Sequence, residues 1–321
     1  MKITPFLLAL AIPGISSFAQ QKYFEGNIVY KVSMRSKMEK ISDKDVHKML
    51  AEGDQVTVAI KNGNYRRTSE YSDNFLIYKD QRSYVKFKSI DTLYYLDYAS
   101  DPVEVTGITK ADSVFTINHY RCKVITLPTK YATYRYYYTD SLRNNPIYDT
   151  GMVYSIYGPY SRATGGAVYL WSRSELAFAS QTDSCIRIEQ KSIDDHVFDL
   201  PALPRKKLSV LSLISRARFP GKEGAWLSYL QSNLDAKLAA KYVKLAKNQQ
   251  EAADTVLVEY LIAENGSLSD IKVVNKDKVP SRLAEEAMRV IQESPRWVPA
   301  NYFGQKITSL WQQPVVFKIM R

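Results

Sequence analysis

Histidine and cysteine are scarce in this chain, at three and two of 321 residues. His47, His119 and His196 stand far apart, and none falls in a metalloprotease or hydrolase frame. His47 falls on the polar side of an early helix, and His119 sits in a turn beside a strand. Only His119 lies near a cysteine and no ligand spacing is present, so no metal and no cofactor are expected. Ser141, Ser172, Ser174 and Ser184 lack the Gly-x-Ser-x-Gly frame of a hydrolase nucleophile. Asp194 and Asp195 are neighbours on an expected loop and would face apart, so they form no acid–base pair. Gly165-Gly166 lacks the pattern that cradles a phosphate and reads as a turn or bulge. No enzyme is expected.

Long hydrophobic runs are missing too. The stretch from Phe6 to Ile12 is too short for a bilayer, which needs ~20 apolar residues, and no later segment reaches that length. Lys2 before it and Ser17-Phe18-Ala19 after it read as a cleavable signal peptide, 1–19, with cleavage after Ala19. The product is expected to be exported, periplasmic or secreted, and not membrane-spanning. No cysteine sits near the cleavage point, which excludes a lipid anchor there. The formal charge of +11 is spread along the chain, with Arg205-Lys206-Lys207 the one local concentration. Nucleic acid, which calls for a basic stripe or patch, is therefore not an expected partner. Export permits a disulfide between Cys122 and Cys185, and two buried thiols are the alternative reading.

What the chain has in excess is tyrosine, 24 residues, all but Tyr229, Tyr242, Tyr260 and Tyr302 lying before Lys207. From Gly26 to Phe198, runs rich in Tyr, Val, Ile, Thr and Phe alternate with Gly, Asn, Asp or Pro, which reads as many antiparallel strands. Asn62-Gly63 marks a tight hairpin turn. One helix is expected early, capped by Ser42, with Val46, Met49 and Leu50 on one face and Gly53 at its end. The fold class is thus α+β. Residues 22–201 form a strongly curved antiparallel sheet with one helix, 202–215 a linker through Pro204 and Arg205-Lys206-Lys207, and 216–321 a second domain.

In that second domain, Phe219-Pro220-Gly221 opens a helix, and Asp254 to Val274 is a hairpin broken at Glu264-Asn265-Gly266. Pro280 to Glu293 is a helix with Ala284, Ala287, Met288 and Ile291 on one face. Trp297 after Pro295 would anchor its exit, and Pro314 places the last strand at an edge or bulge. These motifs, in this order from Phe219 to Ile319, resemble a TonB C-terminal domain. The resemblance implies two helices on a three-stranded antiparallel sheet. It also implies a last strand that pairs with a segment of an outer-membrane receptor or other envelope protein, the β-augmentation mode. Carried onto this chain, that surface is Ser309, Leu310, Trp311, Gln312, Gln313, Val315 and Phe317. An energy-transducing TonB protein carries a membrane anchor and a long Pro-rich spacer. A signal and a folded domain stand in those places here, so the resemblance implies the binding module without the energy coupling.

The first domain is similar to LolA-like half-barrels and to GLPGLI-type exported proteins, on Gly26-Asn27-Ile28-Val29-Tyr30, His119 to Val124, Tyr136 to Leu142 and Ile193 to Pro201. That similarity implies, as an alternative function, a carrier of lipid, acyl chain or lipoprotein in the cavity of the sheet.

Overall fold

The computed structural model describes residues 23–321 except 101 and 150. The expected signal peptide lies outside the described residues. Twelve strands form one open sheet: β1 (Gly26–Ser36), β2 (Gln55–Lys61), β3 (Asn64–Thr68), β4 (Ser72–Ile77), β5 (Arg82–Phe87), β6 (Leu93–Asp97), β7 (Thr109–Ile117), β8 (Tyr120–Pro128), β9 (Ala132–Arg143), β10 (Ala167–Leu176), β11 (Ala179–Gln190) and β12 (Arg205–Lys207). Their order in space is β12-β6-β5-β4-β3-β2-β1-β11-β10-β9-β8-β7. Neighbours pair antiparallel, except that β12 runs parallel to β6.

Local chemistry explains the turns. Asn62 and Gly63 both take positive φ, 48° and 77°, the geometry that matches the twist of β2 and β3. A side chain at Gly63 would also run into the Tyr148 ring. Helix α1 (Asp43–Met49) begins where the Ser42 hydroxyl accepts the Asp45 N–H at 3.1 Å. It ends four residues before Gly53, because Ala51 takes the left-handed turn at φ 53°. His47 is not on a polar face. It is buried, with Nδ1 3.0 Å from the Glu52 carbonyl oxygen and Nε2 3.3 Å from Asp54 Oδ1.

A second helix, α2 (Tyr157–Thr164), corrects the expectation of one. Pro159 lies in its first turn, where proline is tolerated, and Gly165 closes the helix in the left-handed conformation. Its Tyr160 is fully buried and donates to the Ala167 carbonyl at 2.8 Å. Tyrosines fill this interior: Tyr160 lies among Tyr136, Tyr138, Tyr157 and Tyr169. A cavity of about 310 Å³ touches Leu96 on β6 as well as Val168 and Tyr169 on β10. Those strands stand seven positions apart in the sheet order. Flat, they would be roughly 33 Å apart at the usual strand spacing. The sheet therefore curls. Cys122 and Cys185 are both buried, and each is a free thiol, so no disulfide joins them.

The connecting segment contributes β12 to the twelve-stranded sheet and a further strand to a small sheet of three. Beyond β12, a single turn at Val210–Leu213 leads into β13 (Ile214–Ser215). That strand pairs with β16 (Ala300–Tyr302), which pairs in turn with β17 (Gln305–Ile307). The remaining strands, β14 (Glu251–Ile262), β15 (Leu268–Val273) and β18 (Ser309–Met320), form a sheet in the order β15-β14-β18. Three helices accompany it where two were expected: α3 (Ala225–Asn233), α4 (Ala236–Tyr242) and α5 (Ser281–Gln292). The additional one is α4, started by the Asp235 carboxylate accepting the Lys237 N–H at 2.9 Å. α5 lays Leu283, Ala284, Ala287 and Ile291 against Val256, Val258, Tyr260, Val315 and Phe317. Trp297 locks the exit of α5. Its N–H donates to the Gly266 carbonyl at 2.9 Å, and a side chain at Gly266 would collide with the Trp297 carbonyl. The molecule is α+β and mostly sheet, and the large sheet does not close into a barrel.

A candidate docking edge

Among the described residues β18 pairs with β14 alone, leaving one flank without a strand. The register runs without a break from Glu251↔Met320 to Ile262↔Ser309. In an antiparallel ladder, residues alternately bond the partner strand and turn their N–H and C=O away from it. Leu257 fixes which is which. Its N–H donates to the Asn275 side chain at 2.8 Å and its carbonyl accepts from Val274 at 2.9 Å, so Leu257 faces β15. Pro314, opposite Leu257, then faces outward, as do Leu310, Gln312, Val316 and Lys318. The odd-numbered residues bond β14, and Arg321 continues the pattern by donating to the Gln250 carbonyl at 3.0 Å.

Side chains follow the same alternation. Val315 is 0% exposed and Phe317 is buried beside it, so these two members of the expected surface are core residues whose backbone is already bonded. Ser309, Trp311 and Gln313 are half-buried. Leu310 and Gln312 alone among the expected seven combine an exposed side chain with an outward backbone. Val316, 51% exposed, and Lys318 belong with them and were not singled out in the sequence, although the period of two would have found them. Pro314 brings no N–H to the free flank, and its carbonyl accepts from Gln313 Nε2 at 3.0 Å. Gln312 Nε2 donates to Glu259 Oε2 at 2.9 Å, and Lys272 pairs with Glu259 at 2.8 Å. These two bonds, Lys272's first, hold the Glu259 carboxyl below its usual range.

The first domain closes one end of the edge. Thr308 donates its N–H to Asp45 Oδ1 of α1 at 3.0 Å, and Lys48 Nζ pairs with Glu264 at 2.5 Å. Phe87 stacks on Phe303 with ring centres 4.6 Å apart. Past Thr308 a groove of about 530 Å³ opens between Met38, Glu39 and Ile41 on one wall and Leu310, Trp311 and Gln312 on the other. This groove runs beside Leu310 and Gln312, whose backbone faces outward.

The curled sheet holds a second candidate site, the 310 Å³ cavity. Most of its wall is apolar, from Ile28, Val58, Ile60 and Leu76. Arg67 reaches it with its charge already matched, by Glu52 at 2.8 Å and Asp183 at 3.1 Å. Burial pushes the hydroxyls of Tyr65 and Tyr169 far up, so they stay neutral donors. Asp149 is buried nearby, and desolvation lifts its carboxyl from 3.8 to about 6. Its Oδ2 accepts from Ser161 at 2.6 Å, while Oδ1 has no hydrogen-bond partner.

Residues 239–319 match the Gram-negative bacterial TonB protein C-terminal family. No curated protein matches the chain. Among solved structures, PNGF-II in the P21 and C2 space groups aligns over 75% of this chain at 10% and 12% identity, with a TM-score of 0.36 in each case. The chain spans 45% and 44% of those two chains, less than half their length. A Caulobacter crescentus pol III beta structure aligns over 89% of this chain and 79% of its own at 10% identity, with a TM-score of 0.12. None of these likenesses is close enough to say what the large sheet does. The unit that carries the Asn265-Gly266 hairpin, α5 and β18 is a TonB C-terminal domain.

Proposed function

We propose that this chain is an exported protein of the cell envelope whose C-terminal sheet accepts an extended segment of a partner protein as a further strand along β18. The partner is an outer-membrane receptor or another envelope protein. One observation carries the reading: β18 is 12 residues long, unbroken in register and, among the described residues, strandless on one flank. Main-chain hydrogen bonds from Leu310, Gln312, Val316 and Lys318 supply affinity, and the groove beside Leu310 supplies side-chain selection. Nothing in this mode requires a catalytic group or a cofactor. The test is photocrosslinking in intact cells from Val316, with the exposed Ile186 on β11 as the control position. Capture of a defined partner peptide from Val316 is expected, lost in Gln312→Pro, which removes an outward N–H, and kept in Gln312→Ala, which loses the same side-chain bond to Glu259 but keeps that N–H. Equal capture with the proline variant, or none from Val316, would rule the edge out.

A second reading rests on the cavity, whose size falls within the usual range for small-molecule sites. On this reading the first domain carries an acyl chain or similar apolar ligand, in the manner of a LolA-like carrier. Mass spectrometry of the purified protein should then find a co-purifying lipid, and a chain recovered without one would count against it.

A further inference from the structure

We propose that the segment joining the two sheets docks on an anionic phospholipid surface. From Leu200 to Lys222 the chain carries Arg205, Lys206, Lys207, Arg216, Arg218 and Lys222 and not one Asp or Glu. All three residues of β12 are exposed. Beyond β12 the turn at Val210–Leu213 is tied down at both ends. Leu208 donates its N–H to the Tyr95 carbonyl at 2.8 Å, and the Leu213 carbonyl accepts from Phe303 at 2.9 Å. Both leucine side chains pack against Phe87 and Tyr94. The same ties turn the other two aliphatics outward: Val210 is 47% exposed and Leu211 85%.

Apolar tips held on a fixed turn, with cations on either side, match the two layers of a bilayer surface. The tips reach the acyl boundary while the cations meet headgroup phosphates. Arg205 and Arg216 are each within six residues of Leu211, so their backbones lie no more than ~20 Å from it. Asp97 lies 4.0 Å from Lys207 Nζ but is bonded more closely, at 2.7 Å, to Arg82 Nε. The Arg205 guanidinium lies over the Tyr84 ring at 5.6 Å, which leaves its charge intact. A soluble polyanion would satisfy the cations and leave Leu211 with no role, which is why a lipid surface is the occupant chosen. This inference does not depend on strand addition at β18.

The test is co-sedimentation of the full chain with vesicles of phosphatidylcholine alone or mixed with phosphatidylglycerol. The chain should pellet with the mixed vesicles and stay in solution with phosphatidylcholine. Lys206→Gln should weaken pelleting about fivefold, the usual weight of one cation near such a surface. Leu211→Ser should weaken it by about tenfold, through lost apolar burial alone. Both side chains are exposed, so melting temperatures should not move, and their constancy separates lost docking from lost fold. Equal pelleting with the two vesicle types, none with either, or an unchanged result for Leu211→Ser would each overturn the proposal. The last outcome would reveal general attraction to polyanions.

Discussion

The two large sheets end in different ways. At one end of the twelve-stranded sheet, β12 is three residues long, and each of them is exposed and cationic. At the other end, the pairing of β7 with β8 slips between Ala111 and Phe115. In the C-terminal sheet, β15 is six residues long, its pairing slips between Glu259 and Leu261, and Asp270 takes a left-handed φ of 53°. Short length, charge and bulges are the devices that keep an edge from recruiting foreign strands. β18 carries a proline, Pro314, and one outward cation, Lys318, but it is 12 residues long and its register has no bulge. The longest edge, and the one whose register has no bulge, is the place where a partner strand meets least resistance.

That contrast can be broken in graded ways. Within β18 itself, Phe317→Ala opens a cavity in the core and should destabilise the C-terminal domain by about 3–5 kcal/mol in denaturant unfolding. Val316→Ala, one residue away on the free face, should change it by less than about 0.5 kcal/mol. Similar costs for the two would mean that the alternation is misassigned.

The two sheets should also part company with pH. Burial raises the Asp149 carboxyl, so its penalty is absent below pH 4, grows as the unfolded chain ionises first, and is complete above about 6. Asp149→Asn should therefore stabilise the first domain at pH 7 by roughly 2–3 kcal/mol and have no effect at pH 4. Glu286 has the opposite sign. Its bonds to Arg289, first, and to the Asp235 N–H hold the carboxyl below its usual range. Its contribution is present above pH 4.5 and is lost as the pH falls below that. Melting curves from pH 7 to 3 should show the first domain gaining before the second begins to lose, and a parallel shift would refute the assignment.

The smallest effect concerns how the domains hold each other. Lys48 is nearly buried against the half-exposed Glu264, so Glu264→Gln should cost about 1 kcal/mol. It should also separate calorimetric unfolding into two transitions. A single transition in the variant would place the coupling elsewhere, at Phe87–Phe303 or along β12 and β13.

Features set by local chemistry were readable in the chain. The Asn62-Gly63 and Asn265-Gly266 turns, the Ser42 cap and the amphipathic α5 all follow from neighbours within a few residues. Trp297 was legible for the same reason, since the proline before it ends a helix and a large aromatic must then bury. The failures came where distant partners decide. Arg205-Lys206-Lys207 reads as a solvated linker, and only the free edge of β6 makes it a strand. No second helix was expected from the chain, and only the tyrosine-lined hollow of the curled sheet gives α2 something to cover. For β18 the strand was legible and its faces were not. Which parity of β18 faces β14 depends on the pairing across to Leu257, so Val315 and Phe317 were taken for surface.

The most direct test is residue-resolved amide exchange on the free full-length chain. The N–H groups of Leu310, Gln312, Val316 and Lys318 should exchange rapidly, while those of Trp311, Gln313, Val315 and Phe317 exchange only when the domain opens. Uniform protection along the strand would show that its outer flank is already occupied, and strand addition there would be excluded.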